Sequence, residues 1–454
     1  MFISCDWGTS TFRLRLLESP ADNPTAVDAL SSGANPSPGN SHRPSDHPSP
    51  GNSLAPADGS NPGASPSPAN SMAPAVGSNP GKHPSPPTAK VLATLSSQDG
   101  IAATHALWQD SGLPETERVT FYRTVLEKAI GQLAASSQSS REPNSKIDLQ
   151  YVPVIISGMA SSSIGMLELP YKTLPFDVSG VDLMPAVLPA TKRSPRIVYL
   201  VPGVRSADDV MRGEETQLIG CGLNTPSPTV NTPGPTVNTP ARAVNTPGQR
   251  VFVFPGTHSK HIHVRDGQAV AFRTYMTGEL FALLTKQSVL AASVTAPGET
   301  GSASASAAPT PEAFFAGIAA SQDTSLLHTA FLTRTNQLFH KYSKEDNYHF
   351  LSGLLIGEEL RDLADAPEPR NAPPTVRPAT LAAVPPARSP EALTPAPDPG
   401  PITLVASSPL RESYAAALEF LGFRQVAAID ADEALLAGHC AIFARFGATI
   451  TSKP

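Results

Sequence analysis

Near the start of the chain, Ser4-Cys5-Asp6-Trp7-Gly8-Thr9-Ser10-Thr11 runs directly into Phe12-Arg13-Leu14-Arg15-Leu16-Leu17. An apolar lead-in, a tight Asp-x-Gly-Thr turn and an alternating strand predict a hairpin. Its tip suits a phosphate. Gly8 lets the backbone approach closely, Thr9, Ser10 and Thr11 offer donors, and Asp6 is placed to hold a hydrated Mg²⁺. The pattern returns over residues 250–264, where a strand, the turn Pro255-Gly256-Thr257-His258-Ser259-Lys260 and a second strand follow one another. No Walker A loop is present, so nucleotide binding would need another device. The nearest Walker-like string, Gly77 to His83, has the wrong spacing and lacks the Ser/Thr that would meet Mg²⁺.

A third candidate is the loop Ser157-Gly158-Met159, which follows the wholly apolar run Val152-Pro153-Val154-Ile155-Ile156. Such a run is the mark of a central strand, and open α/β sheets place ligands at the carboxyl ends of their strands. His258, His261 and His263 have a spacing that could hold zinc, but no fourth ligand is evident and the hairpin already has a use. Trp7 could stack on a ligand ring; packing beneath the hairpin is the expected role.

The elements that must position these residues occupy only part of the 454-residue chain. Its 49 prolines and 32 glycines are clustered. Residues 19–89, 223–249, 293–311 and 364–400 are too poor in large apolar side chains to offset the entropy of ordering, so they are expected to be disordered inserts. The first carries a short Pro-rich repeat (Leu54 to Gly63, again at Met72 to Gly81). The second repeats Asn-Thr-Pro at positions 224, 231, 238 and 245. About 300 residues remain, enough for two domains with cores of their own. Strands over 89–95, 152–156, 197–201, 268–273, 402–405 and 425–429 alternate with an amphipathic helix over 115–133 and helices over 276–284, 312–318, 325–339, 350–363, 410–421 and from 433, which makes the class α/β.

The formal charge of −6 gives no basic stripe, so nucleic acid and anionic membranes are poor partners. Cys5, Cys221 and Cys440 are odd in number and form no Cys-x-x-Cys, which argues against a disulfide scaffold or a zinc ribbon. No apolar run reaches the length of a membrane span, and a soluble cytoplasmic protein is expected.

The order of hairpin, helices, second hairpin and late small-residue loop (Ala406-Ser407-Ser408 after Ile402-Thr403-Leu404-Val405) resembles the actin/hexokinase/Hsp70 superfamily. The motifs Asp-Trp-Gly-Thr, Ser-Gly-Met-x-x-Ser (157–162), Met-Arg-Gly-Glu-Glu-Thr-Gln-Leu-Ile-Gly (211–220), Pro-Gly-Thr-His-Ser-Lys (255–260), Phe-Arg-Thr-x-Met-Thr-Gly-Glu-Leu (272–280) and Phe-Leu-Ser-Gly-Leu-Leu-Ile-Gly (350–357) look like the 2-dehydro-3-deoxygalactonokinase family. The resemblance implies two ribonuclease-H-like lobes, over 1–222 and 250–454, joined by 223–249, with an ATP and substrate cleft between them. It also implies transfer of phosphate from ATP to the 6-hydroxyl of 2-dehydro-3-deoxy-D-galactonate, a small sugar acid of galactonate catabolism, with Mg²⁺ at Asp6. A kinase for a related sugar acid, or a sugar-acid sensor of the same fold, is the alternative.

On that resemblance the phosphate-binding residues are Asp6, Gly8, Thr9, Ser10, Thr11, Gly256, Thr257, His258, Ser259 and Lys260, with Ala406, Ser407 and Ser408 at the adenosine. The reaction needs a carboxylate to take the hydroxyl proton and a cation to meet the sugar acid's carboxylate. Glu214 or Glu215 is the candidate base, the other being free to cap the following helix through Thr216. Arg212 is the first choice for the carboxylate, ahead of Arg273 and Lys260, with Ser157, Gly158 and Met159 lining the substrate side.

Overall fold

The computed structural model describes residues 1–18, 90–138, 148–224, 248–298, 311–364 and 400–447. In chain order the strands are β1 (Phe2–Trp7), β2 (Phe12–Leu17), β3 (Val91–Ser97), β4 (Val154–Gly158), β5 (Lys172–Thr173), β6 (Phe176–Asp177), β7 (Ala186–Leu188), β8 (Val198–Leu200), β9 (Val204–Arg205), β10 (Val210–Met211), β11 (Gln249–Phe254), β12 (Ser259–Arg265), β13 (Gln268–Tyr275), β14 (Ile402–Val405) and β15 (Val426–Ile429). The helices are α1 (Ile101–Asp110), α2 (Arg118–Gln138), α3 (Glu214–Asn224), α4 (Thr277–Gln287), α5 (Pro311–Ser321), α6 (Leu326–Leu338), α7 (Lys344–Ala364), α8 (Leu410–Phe420) and α9 (Ala431–Phe446).

Two six-stranded sheets repeat one plan. The first has the order β3-β2-β1-β4-β8-β7 and the second β15-β14-β11-β12-β13-β6. In each, an antiparallel meander of three strands (β1 to β3, β11 to β13) is continued from its first strand by parallel neighbours (β4 and β8, β14 and β15). Central strands are apolar on both faces, as strands covered on both sides must be: Val154, Ile155 and Ile156 are wholly buried, whereas β3 at the edge alternates. A small third sheet, β10-β9-β5, leads into α3.

Each sheet has its own outer core. Trp7, Leu14 and Ile156 pack under α1 and α2, and Val251, Leu404 and Leu360 pack with α5, α7 and α8. The inner faces share one core that takes in Phe2, Ile155, Phe254, Ile262, Met211 and Ile442. Helices α3 and α9 lie in this shared layer and touch backbone to backbone. A Cβ on Gly220 would stand 1.8 Å from the Ala434 carbonyl oxygen, and one on Gly438 would stand 1.9 Å from that of Thr216.

Several boundaries differ from the sequence reading. Helix α3 runs two residues into the stretch expected to begin at 223, and β11 takes up Gln249. Ser293 and Val294 are buried, and the Thr295 N–H donates to the Lys344 carbonyl, so the chain is packed beyond 293; Pro311 and Ala364 fall inside helices. The bulk of the four Pro-rich stretches lies outside the described residues. Helix α1 was not foreseen. Its pattern of Ile101, Thr104 and Trp108 buries a threonine and exposes Leu107, which blurs the apolar stripe that periodicity detects.

The helix crossing generates a direct test. Gly220→Ala or Gly438→Ala should destabilise the fold by about 1–3 kcal/mol or more, because the added methyl meets backbone that cannot move aside. Gly131→Ala, on an exposed face of α2 with nothing within 4 Å, should instead be neutral or stabilise by up to about 1 kcal/mol. Denaturation midpoints of the three variants measure the difference.

Candidate active site

The two turns face one cleft of ≈ 470 Å³, whose lining includes Asp6, Gly8 and Thr9 from the first turn and Gly256, Thr257, His258 and Lys260 from the second. Gly158, Met159, Arg212 and Glu214 complete it from a third side, with Val405 at the end of β14. Sequence separations of up to about 400 residues are thus closed into one site.

Both turns are held by the same device. The N–H groups of Ile101 and Ala102, at the start of α1, donate to the carbonyls of Gly8 and Thr9. The Glu279 N–H, in the first turn of α4, donates to the carbonyl of Thr257. Unpaired N–H groups at helix starts are ready donors, and here they draw the carbonyls of each turn backwards. The approach is close enough to require glycine: a Cβ on Gly100 would lie 2.4 Å from the Thr9 oxygen, and one on Gly278 2.5 Å from the Gly256 oxygen. The N–H groups of Thr9 and Ser10 in one turn, and of Thr257 and His258 in the other, make no hydrogen bond among the described residues. They are free donors for an anion.

Asp6 sits at the end of β1 with its side chain 24% exposed. Burial raises its pKa, against the opposing charges of Arg13 and Arg15. Its carboxylate makes no hydrogen bond among the described residues, and Arg13 Nη1 is 3.8 Å away. Arg13 and Arg15 are themselves drawn to Asp432 at the start of α9, at 3.1 and 2.6 Å. Among the described residues no group of three His, Cys, Asp or Glu side chains could enclose a metal. A lone carboxylate with free oxygens beside free backbone N–H donors would nevertheless suit Mg²⁺ if a phosphate were bound there, since Mg²⁺ ordinarily takes one or two carboxylates and fills its shell with substrate phosphates and water.

The neighbouring glutamates separate cleanly. Glu215 is buried against its own helix start, where it accepts from the Gly213 N–H at 2.7 Å and from Thr216 Oγ1 at 3.1 Å. It is the capping residue of the pair. Burial, and then the charge of Glu214, push its pKa up to about 8. Glu214 lines the cleft instead. Its Oε1 lies 3.2 Å from Lys260 Nζ, and its Oε2 is buried with no partner. Lys260 also donates to the His258 carbonyl at 2.9 Å, so it spans the cleft rather than standing free for a phosphate.

Arg212 is locked by Tyr171 Oη at 3.1 Å, Ser161 Oγ at 2.6 Å and the Leu169 carbonyl at 3.3 Å, and its guanidinium stacks on the Tyr171 ring. No carboxylate among the described residues pairs with it. Arg273 does not reach the cleft. It is half exposed and bound to Asp362 of α7 at 3.0 Å. Ser157 points beneath the sheet, where its hydroxyl and that of Ser4 hold the two ring nitrogens of His439 at 3.0 and 2.7 Å. Burial, with the Arg15 charge behind it, lowers the His439 pKa to about 3, so the ring is neutral.

The remaining candidates divide similarly. Ser10 and Thr11 complete the first turn without lining the cleft, and Ser259 is buried under the second. Ala406 is buried and donates its N–H to the Ile429 carbonyl; Ser407 and Ser408 are exposed just beyond Val405. The histidines bind separate carboxylates, His258 that of Glu279 and His261 that of Glu359. Trp7 is wholly buried and meets Phe12 edge-on, which is the packing role. Sequence reasoning missed Tyr171, which lines the cleft, and Gly100; Gln217, also in the lining, and Gly278 fall inside motifs it quoted but were given no role.

A cleft with two turns of free N–H donors on repeated α/β sheets, a free carboxylate oxygen and an arginine that meets no carboxylate has the groups that phosphoryl transfer needs. Comparison with known proteins bears on this. The 2-keto-3-deoxy-galactonokinase family profile matches residues 88–376, more than half of the chain. A protein of Rhizobium meliloti (strain 1021) named "probable 2-dehydro-3-deoxygalactonokinase" is 29% identical over 329 residues, 71% of this chain and 84% of that one. The Escherichia coli (strain K12) 2-dehydro-3-deoxygalactonokinase is 31% identical over 218 residues, 47% of this chain and 62% of that one. A Sinorhizobium meliloti crystal structure, described as that of a "putative 2-dehydro-3-deoxygalactonokinase protein", superposes with a TM-score of 0.55 at 24% identity, covering 98% of this chain and 97% of that one, and so supports the fold. The chain is therefore a kinase of the α/β class, with ATP as the expected co-substrate of such a family. It belongs to the 2-keto-3-deoxy-galactonokinase family.

Glu215 generates a pH test. It keeps its proton to about pH 8 in the folded chain, against a value of 4.5 for an ordinary glutamate. The folded state binds more protons between these values, so the stability from this group is whole below 4.5 and is lost as pH rises to about 8. Melting midpoints of the parent should decline across that window more steeply than those of Glu215→Gln. Parallel curves would contradict the assignment.

Proposed function

We propose that the chain phosphorylates the 6-hydroxyl of 2-dehydro-3-deoxy-D-galactonate with ATP and Mg²⁺. The observation that carries this is the buried, unpartnered Oε2 of Glu214, in the same cleft as both sets of free N–H donors. A carboxylate oxygen buried without a donor is costly, and a substrate hydroxyl would satisfy it. In this reading the two sheets are the cores of two ribonuclease-H-like lobes, the first ending with α3 and the second opening with β11.

Phosphoryl transfer depends mainly on positioning and on charge stabilisation. The N–H groups of Thr9, Ser10, Thr257 and His258 would receive the phosphates, and Asp6 would hold Mg²⁺, which supplies positive charge against the phosphate oxygens. Arg212, already fixed by Tyr171 and Ser161, offers its planar fork to the sugar acid's carboxylate. Glu214 accepts the hydroxyl proton as the O6–phosphorus bond forms and the bond to the β-phosphate oxygen breaks. Lys260, on the other oxygen of Glu214, keeps the carboxylate oriented. Ser407 and Ser408, at the end of β14, border the nucleotide's adenosine. The chemistry calls for a small-molecule acceptor and ATP only, as expected for a cytoplasmic catabolic enzyme; no described helix is long and apolar enough to cross a membrane.

The test is a coupled ADP-release assay with Mg²⁺-ATP on 2-dehydro-3-deoxygalactonate and on its gluconate epimer, with phosphorus NMR of the product. ADP should form with the galactonate compound, and the product phosphorus should couple to the C6 methylene. Glu214→Gln should lower kcat by roughly 10²- to 10⁴-fold. Arg212→Lys should raise KM for the sugar acid by roughly tenfold with KM for ATP unchanged. A folded protein that binds ATP but releases no ADP with either acid would favour a sugar-acid sensor.

A further inference from the structure

Beneath the second turn lies a buried polar network that the transfer step does not use. Glu359 of α7 is 2% exposed. Its Oε1 accepts from His261 Nε2 at 2.9 Å, and its Oε2 accepts from Tyr414 Oη at 2.6 Å and from Thr277 Oγ1. His261 Nδ1 has no partner, so the ring hydrogen belongs on Nε2, facing the carboxylate. Tyr414 Oη lies 3.1 Å from Ser259 Oγ, which in turn accepts from the Gly256 N–H at 3.3 Å.

The Glu359 oxygens accept from both hydroxyls, and that sets the direction of the whole chain. Tyr414 must donate to Glu359, so the Tyr414 oxygen is left to accept from Ser259. The Ser259 oxygen is then free to accept from Gly256. One side chain therefore ties the second turn (Gly256, Ser259), strand β12 (His261), the start of α4 (Thr277) and α8 behind the β14 loop (Tyr414). We infer that Glu359 is the positioning residue of the second turn, fixing where its free N–H groups stand for the nucleotide's phosphates, while leaving the acceptor side of the cleft untouched. This rests on the reading of that turn as a phosphate site.

The test compares the full-length Glu359→Gln, Tyr414→Phe and Gly256→Asp variants with the parent by KM for ATP and for the sugar acid, calorimetric ADP binding and melting temperature. Glu359→Gln puts a donor where the network needs an acceptor. Tyr414→Phe removes a single hydroxyl at nearly constant volume, and decides the matter should the first variant fail to fold. Both should raise KM for ATP roughly tenfold and leave KM for the sugar acid unchanged. A lowered melting temperature with both KM values at the parental level would overturn the inference and leave Glu359 a purely structural residue. Gly256→Asp separates the two levels, because a side chain there meets nothing within 4 Å and would set a negative charge in the phosphate site. Loss of ADP binding in it, beside hub variants of parental KM, would overturn this inference alone. Parental ADP binding in it would overturn the phosphate reading together with the inference.

Discussion

The structure depends most on the contact between α3 and α9, where Gly220 and Gly438 let two helices meet without intervening side chains. Helix α9 is the last of the described helices yet is anchored to the first strands. His439 reaches the hydroxyls of Ser4 and Ser157, and Asp432 holds Arg13 and Arg15. Helix α3 begins with Glu214. The crossing therefore sets the distance from the N-terminal hairpin to that carboxylate, although the two are about 200 residues apart in sequence. A buried histidine kept neutral makes the joint specific in orientation, since its two ring nitrogens must be satisfied when buried, and the part-exposed Asp432 adds a second tie through Arg13 and Arg15.

The two turns show how one physical problem is solved twice. Backbone N–H groups left free to point outward require the same chain to send its carbonyls inward to partners. Helix starts supply those partners, because their first N–H groups have none of their own. The cost falls on the residue that lets the helix come close, which is why Gly100 and Gly278 occupy equivalent places behind Gly8-Thr9 and Gly256-Thr257. The second turn is further braced by the Glu359 network. The first rests instead on apolar packing around Trp7 and Phe12.

Much of this was legible in the sequence. Both hairpins, the buried strand before Ser157, the late strand over 402–405 and the cleft-facing Asp6, Gly8, Thr9, Gly158 and Gly256 came from local patterns, because turns and fully buried strands have strong local signatures, whereas Arg212 and Glu214 came from the family resemblance. What was not legible depends on approach in three dimensions. Nothing in Glu-Glu-Thr says which carboxylate turns back to Gly213 and which meets Lys260; that is decided by the helix start facing β12. Arg273 reads as a free cation until α7 brings Asp362 beside it. Ser157 reads as a loop donor until α9 places a histidine under the sheet.

The most direct measurement of the central claim is a crystal structure of the full chain with a non-hydrolysable ATP analogue, Mg²⁺ and 2-dehydro-3-deoxygalactonate. The terminal phosphates should lie between the Gly8-Thr9 and Gly256-Thr257 turns, the acid's carboxylate on Arg212, and the 6-hydroxyl within hydrogen-bonding distance of Glu214 Oε2. A sugar acid bound with its 6-hydroxyl away from Glu214, or a triphosphate that touches only one of the two turns, would contradict that claim.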